Sequence, residues 1–221
     1  MKFLRKQMFL FLCIMMILQS MNLVGSFSFL HSGVSAATNS VKVQMYNSVV
    51  TSSSNTIGLQ LRIVNTGTNS INLSDIKLRY YYTIDGEKSQ IFFCDYSQVG
   101  SSNVTGTFVK MPTAQMGADY YLDIGFKSSA GSLATNASVD VQARAAKSDW
   151  TNYTQTGDYS FNSTATGFVD WNNVCAYYQG NLVWGNTPGG GIPTPTSTCS
   201  PTPTYTNTPP PTSSPTPTPT A

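Results

Sequence analysis

Between Thr38 and Pro188, apolar and polar residues alternate in short runs: VKVQMY from Val41, GLQLRIVN from Gly58, IKLRYYYTI from Ile76, SQIFFCD from Ser89, GTFVKM from Gly106, YYLDIGF from Tyr120, SVDVQARA from Ser138 and NLVWG from Asn181. The runs are rich in Val, Ile, Tyr, Phe and Thr and are separated by clusters of Asn, Gly, Ser and Asp, the punctuation of strands and turns. No stretch keeps a helical period over three turns. The pattern predicts one all-β domain of about eight or nine strands, a sandwich or jelly roll built around one core.

Alternation also assigns faces. In SVDVQARAA, Val139, Val141, Ala143 and Ala145 share one side, and Asp140, Gln142, Arg144 and Ala146 the other. The first set is expected in the core. Gln142 and Arg144 then stand about 7 Å apart on an outer sheet face, with Trp150 in the turn beyond. An exposed tryptophan beside paired polar side chains points to a contact surface.

The ends of the chain read differently. Met1 to about Ala37 has the make-up of a secretory signal: Lys2, Arg5 and Lys6, an apolar run from Met8 to Leu18, and small residues at Val34-Ser35-Ala36. Its apolar run is interrupted by Gln19, Ser20 and Asn22, so removal is the expectation over retention as an anchor. Residues 189–221 are Pro, Thr and Ser with almost nothing to bury, a composition that stays extended and acts as a linker or tail.

Without the leader the chain has no histidine, and nine Lys/Arg stand against ten Asp/Glu, including the single glutamate Glu87. No basic cluster remains, which argues against a nucleic-acid partner. Cys94 and Cys175 could form a disulfide in an exported protein or remain buried thiols; the sequence leaves both open, with Cys199 in the tail. A glycosidase needs two carboxyls facing across a cleft. Asp95, Asp149 and Asp158 are the nearest candidates and Glu87 is isolated in a hairpin turn, so catalysis is not expected.

Several motifs together, VQMYNS, NTGTNSINLSDIKLRYYYTIDGEKSQIFFCD, GTFVKM, ARAAKSDWTNYTQTGDYSF and LVWGNTP, closely resemble the family 3 carbohydrate-binding modules of clostridial scaffoldins and cellulases. The likeness runs from about Val41 to Pro188. It implies a nine-stranded jelly-roll sandwich with a structural calcium ion and a flat strip that adsorbs onto crystalline cellulose. Sugar faces carry axial C–H groups, so such a strip needs coplanar rings and polar edges. The resemblance assigns Trp150 as a ring, Arg144 and Asp95 as a planar ion pair in the same row, and Tyr96 as a further ring. Asn55 and Gln142 match positions that hydrogen-bond a neighbouring chain.

The sequence departs from the pattern in three places. The loop from Ser97 to Gly106 is short and lacks the tyrosine it usually adds to the row, Val49 stands in place of an asparagine, and Thr51 roughly replaces a serine. For calcium the resemblance implies Thr83, Asp85, Thr154 and Asp158, oxygen donors suited to a hard cation, with Gly157 able to offer only its carbonyl. Arg79, Tyr81, Tyr121, Asp123 and Tyr159 match a shallow groove on the opposite sheet. Trp171 and Trp184 are expected in the core. The implied function is secreted, non-catalytic binding to cellulose or a related cell-wall polysaccharide; the competing use is an ectodomain that senses substrate or attaches a cell, and the tail allows a further domain or protein partner.

Overall fold

A computed structural model describes residues 40–190; the expected leader and all but the first two residues of the expected tail lie outside them. Nine strands of four or more residues are present: β1 Val41–Asn47, β2 Thr56–Asn65, β3 Ile76–Tyr82, β4 Gln90–Ser97, β5 Val104–Gln115, β6 Ala118–Phe126, β7 Ser138–Lys147, β8 Val174–Tyr178 and β9 Asn181–Trp184. The only helical segments among the described residues are three short 3-10 turns. The strands form two five-stranded sheets. One runs Val169–Asp170, β1, β2, β7, β4, and the other β9, β8, β3, β6, β5, with every pairing antiparallel.

The alternation in the sequence becomes burial. On β1, Val41, Val43 and Met45 are buried while Lys42, Gln44 and Tyr46 are partly exposed. On β7, Val139, Val141, Ala143 and Ala145 face the partner sheet as expected. Together with Leu59, Leu61 and Ile63 of β2 and Leu78, Tyr80, Leu122 and Ile124 of the second sheet they form one core cluster. Each large aliphatic chain buried there contributes about 1.5–3 kcal/mol relative to exposure. This is the predicted all-β sandwich. Trp171 and Trp184 pack against the cluster partly buried, their indole N–H groups donating to the carbonyls of Ser160 at 2.8 Å and Trp171 at 3.3 Å.

The β8 strand, VCAYY, is absent from the runs read in the sequence because two buried faces leave it without alternation. Val174, Cys175 and Ala176 are all buried: the first and third face the core, and Cys175 faces outward under the tyrosines. Cys94 packs on the core side, so a layer of sheet separates it from Cys175. Both are free thiols, and Cys94 is only partly buried. Burial pushes the Cys175 thiol up to about 11.

One polar side chain joins the two sheets inside the core. Asn47, at the end of β1, donates to the Gly58 carbonyl and to the Tyr80 hydroxyl of the other sheet, both at 3.2 Å. Its Oδ1 accepts the backbone N–H of Asn162 at 2.9 Å. Truncation strands these partners in a dry interior, where each unmet group costs on the order of 1–3 kcal/mol. We therefore predict that Asn47→Ala lowers unfolding stability by about 2–3 kcal/mol in urea titration. A loss of about 0.5 kcal/mol or less contradicts this role.

Candidate functional site

The outer face of the first sheet is organised by one irregularity. Along β4 and β7, Gln142 pairs with Tyr96 and Ala143 with Cys94, so Asp95 is an extra residue in the ladder. A bulge of this kind turns two consecutive side chains to one face. Asp95 and Tyr96 are both exposed as a result, whereas strict alternation would bury one of them. Gly58 of β2 and Phe93 of β4 flank Arg144 on β7.

Arg144 then meets Asp95 as a two-pronged fork, with Nε to Oδ2 at 2.6 Å and Nη2 to Oδ1 at 2.8 Å. Both side chains remain about 40% exposed, which leaves the plane of the fork open to a ligand. The Arg144 hydrogen bonds hold the Asp95 carboxyl below the ordinary aspartate range, and Asp95 in turn raises Arg144. The guanidinium carbon sits 5.0 Å from the centre of the Phe93 ring. Phe93 in turn stacks on Trp150, with centroids 6.5 Å apart and planes 19° from parallel. Phe93 was not singled out in the sequence, although alternation along SQIFFCD turns it away from the core side that Phe92 and Cys94 occupy.

Trp150 is 50% exposed and Tyr96 48%, far more than large rings without a partner usually are. Trp150 adopts a left-handed backbone with φ 59° and donates its N–H to the Lys147 carbonyl at 3.0 Å. Beside it Asp149 accepts from the Thr151 hydroxyl at 2.7 Å and pairs with Lys88 at 3.0 Å, contacts that depress its carboxyl to about 2. Gln142 lies exposed opposite Gln60 and Tyr96. Asn55 is exposed just before β2 and accepts from the Thr56 hydroxyl. The loop carrying Val49 and Thr51 is pinned from below, since buried Gln155 donates to both of their carbonyls.

The expected metal residues come together from two loops. Asp158 Oδ1 accepts from the backbone N–H of Thr83 at 2.8 Å and from its hydroxyl at 2.6 Å, while Thr154 N–H donates to Asp85 Oδ2 at 2.5 Å. Asp158 Oδ2 is buried with no hydrogen-bond partner. Burial, reinforced by Asp85 and Asp119 and partly offset by the Thr83 bonds, pushes the Asp158 carboxyl up to about 7. Asp119, which accepts from the Ile84 N–H at 2.8 Å, was not singled out in the sequence. Gly157 has φ 94°, and its carbonyl oxygen would lie 2.3 Å from a Cβ placed on Gly117.

An orphaned buried carboxylate oxygen beside two further acidic residues and a threonine hydroxyl fits an oxygen-loving cation. Among the described residues no three His, Cys, Asp or Glu side chains are grouped to hold a metal by themselves. Hydroxyl and carbonyl oxygens would have to complete such a shell. Lys147 braces the same region, donating to the carbonyls of Asp85 and Asn152, both at 2.9 Å, from a buried position 4.8 Å over the Tyr153 ring.

The opposite sheet carries the expected groove residues, with one change. Arg79 is held between Tyr121 and Tyr177, at 4.5 and 4.3 Å from their ring centres, and lies 3.5 Å from Asp123. Tyr81 is only 3% exposed and forms the floor rather than the lining; it meets Tyr159 edge-on at 5.9 Å and Tyr177 hydroxyl to hydroxyl at 3.4 Å. Tyr177 belongs to the unread β8 strand. Glu87 is not isolated: it accepts from Lys110 and from the Tyr120 hydroxyl, which lower its carboxyl. The hollow of about 740 Å³ between β4 and β5, lined in part by Tyr120 and Phe108, contains none of the Trp150, Arg144, Asp95 and Tyr96 set.

An outer sheet face that exposes Trp150 and Tyr96 beside a paired arginine suits a surface-binding carbohydrate module. The chain belongs to the family described as "Cellulose binding domain", whose model matches residues 42–185; the described domain is a cellulose-binding module. It is similar to Exoglucanase-2 of Thermoclostridium stercorarium, 57% identical over 66% of this chain and 16% of that protein. It is also similar to the anti-sigma-I factor RsgI4 of Acetivibrio thermocellus, 47% identical over 67% of this chain and 28% of that protein. Among solved structures, the CBM3b module of the major scaffoldin subunit ScaA from Acetivibrio cellulolyticus superposes with a TM-score of 0.66 at 56% identity, covering 67% of this chain and 97% of that one. This chain thus spans under a third of either curated relative.

Proposed function

We propose that the domain adsorbs to crystalline cellulose through the strip Trp150, Phe93, Arg144–Asp95 and Tyr96, with Asn55 and Gln142 reaching the hydroxyls of an adjoining chain. The observation that carries this is the Arg144–Asp95 fork continuing the Phe93–Trp150 stack. Rings and a planar ion pair can lie against axial C–H faces, and the exposed amides supply directional contacts at the edge. Release is straightforward because nothing encloses the ligand.

The module acts as a binder, and any chemistry the whole protein performs belongs to other parts of it. An extracellular setting is where such a polysaccharide is met. The Pro/Thr/Ser tail would hold the module away from whatever it joins. Similarity to RsgI4, and to a structure described as biomass sensing modules at 47% identity, favours as a second reading a module that reports substrate to its own cell.

We further propose structural calcium held by Thr83, Asp85, Thr154 and Asp158, with Asp119 adding negative charge nearby and Gly157 limited to its carbonyl. The ion supplies the positive charge that the unpartnered Asp158 oxygen lacks. Thr83 and Thr154 position the two carboxylates, and Lys147 ties the Asp85 loop to the turn that follows Trp150. The groove of Arg79, Tyr121, Asp123, Tyr159 and Tyr177 is a secondary polar surface over the Tyr81 floor.

Depletion of the protein by microcrystalline cellulose tests the face. Trp150→Ala and Arg144→Ala are each expected to weaken adsorption roughly fivefold, a ring or stacked ion pair contributing about 1 kcal/mol. Unchanged retention in both variants overturns the assignment.

The same assay has a signed pH dependence. Asp95 has a depressed carboxyl in the folded state, so the fork is intact above the usual aspartate range and is lost only as pH falls through that lower value. Adsorption should hold from pH 7 to about pH 4 and decline below it in wild type. In Asp95→Asn the decline from this source disappears.

For the metal, calcium at about one hundred times its dissociation constant contributes roughly 2.7 kcal/mol. We expect thermal unfolding in excess calcium to lie roughly 5–10 °C above that in chelator. Asp158→Asn should abolish most of this difference. Equal melting temperatures with and without calcium in wild type would remove the ion from the account.

A further inference from the structure

The strip occupies the β4 and β7 side of a sheet that is five strands wide, or about 19 Å at the ordinary strand spacing. One sugar chain is a single ring wide. The remaining half of this outer face, over β2, β1 and Val169–Asp170, repeats the same two ingredients. Arg62 forks onto Asp140 across β2 and β7, with Nε to Oδ1 at 2.7 Å and Nη2 to Oδ2 at 2.8 Å. The Phe168 ring lies over that guanidinium, 4.1 Å from its carbon to the ring centre, and Tyr46 holds Phe168 edge-on at 5.2 Å.

The register makes the two units continuous. Arg144 stands opposite Gly58, Gln142 opposite Gln60 and Asp140 opposite Arg62, so consecutive outward positions of β7 run from the first fork through a pair of amides to the second. Asp140 is further steadied by Gln98, whose side-chain oxygen accepts its backbone N–H at 2.8 Å. Arg62 and Asp140 keep 34% and 17% of their side-chain surface open, and Phe168 is partly exposed.

We propose that Arg62, Asp140 and Phe168 form a second contact patch that takes a neighbouring chain of the same cellulose crystal face. The inference rests on the reading of the Trp150 strip as the primary contact. It makes the module a reader of a surface several chains wide: a crystal meets both patches, while a single soluble glucan meets only one.

The test compares the full chain with Phe168→Ala, Arg62→Gln/Asp140→Asn and Trp150→Ala on microcrystalline cellulose and on a soluble cellulose ether in affinity electrophoresis. Phe168→Ala and the double variant are expected to weaken adsorption to the crystal roughly three- to tenfold and to leave migration in the soluble polymer unchanged. Phe168→Tyr, which keeps the ring, should stay within about twofold of wild type. Trp150→Ala should weaken both. If Phe168→Ala unfolds, the double variant, which retains shape and removes the charges, decides alone. Wild-type crystal adsorption in the patch variants while Trp150→Ala is impaired overturns the second patch only. Equal losses on crystal and soluble polymer overturn the neighbouring-chain occupant. An unimpaired Trp150→Ala overturns the primary face instead, and the inference that rests on it falls too.

Discussion

The two-pronged contact between Arg144 and Asp95 stands beside one extra residue on β4. Phe93 faces outward and Cys94 packs on the core side, so alternation alone turns Asp95 outward, whereas Tyr96 would be sent into the core without the bulge. The extra residue therefore adds a ring to the face that already carries the acid. Because the fork is half exposed, its contribution to folding is small, as exposed ion pairs generally contribute little. What it fixes is a planar group 5.0 Å from the centre of the Phe93 ring, which in turn stacks on Trp150.

The Trp150 end of that face is braced by the loops around Asp85 and Asn152. Trp150 sits in a left-handed turn whose position depends on Lys147, and Lys147 is buried with two carbonyls as its acceptors, one from the Asp85 loop and one from Asn152. A buried ammonium without these partners would carry a large desolvation cost. The same loops bring Asp85 and Asp119 within electrostatic reach of the buried Asp158 carboxyl. The Trp150 turn and the Asp85 loop are thereby braced by the same buried ammonium.

Most of the fold was readable because one face of nearly every strand is apolar. The period of two in SVDVQARA places Gln142 and Arg144 outward, and the fork to Asp95 is what the family resemblance implies. What escaped was whatever broke the period. VCAYY is buried on both faces and so lacks alternation, which hid Tyr177 and with it the second wall around Arg79. Phe93, outward by plain alternation, carried no polar group to mark it as a contact residue, and Tyr81 was placed in a lining when its neighbours cover it. Glu87 looked isolated because Lys110 and Tyr120, its partners, are remote in the chain.

The absence of histidine beyond residue 37, together with a near-balanced charge there, bears on how such a surface works. An uncharged crystal offers no electrostatic steering, so long-range attraction cannot raise the encounter rate, and net charge has little to add. Arginines paired to carboxylates behave as flat, weakly hydrated plates rather than as free cations. Desolvating such a plate against sugar costs less than desolvating a lone ammonium, and the paired carboxylate already satisfies the guanidinium donors that would otherwise need water. A ring-only surface of equal area would invite self-association. Interspersing rings with paired charges, as Phe93 and Trp150 are with Arg144 and Asp95, breaks up such an apolar patch.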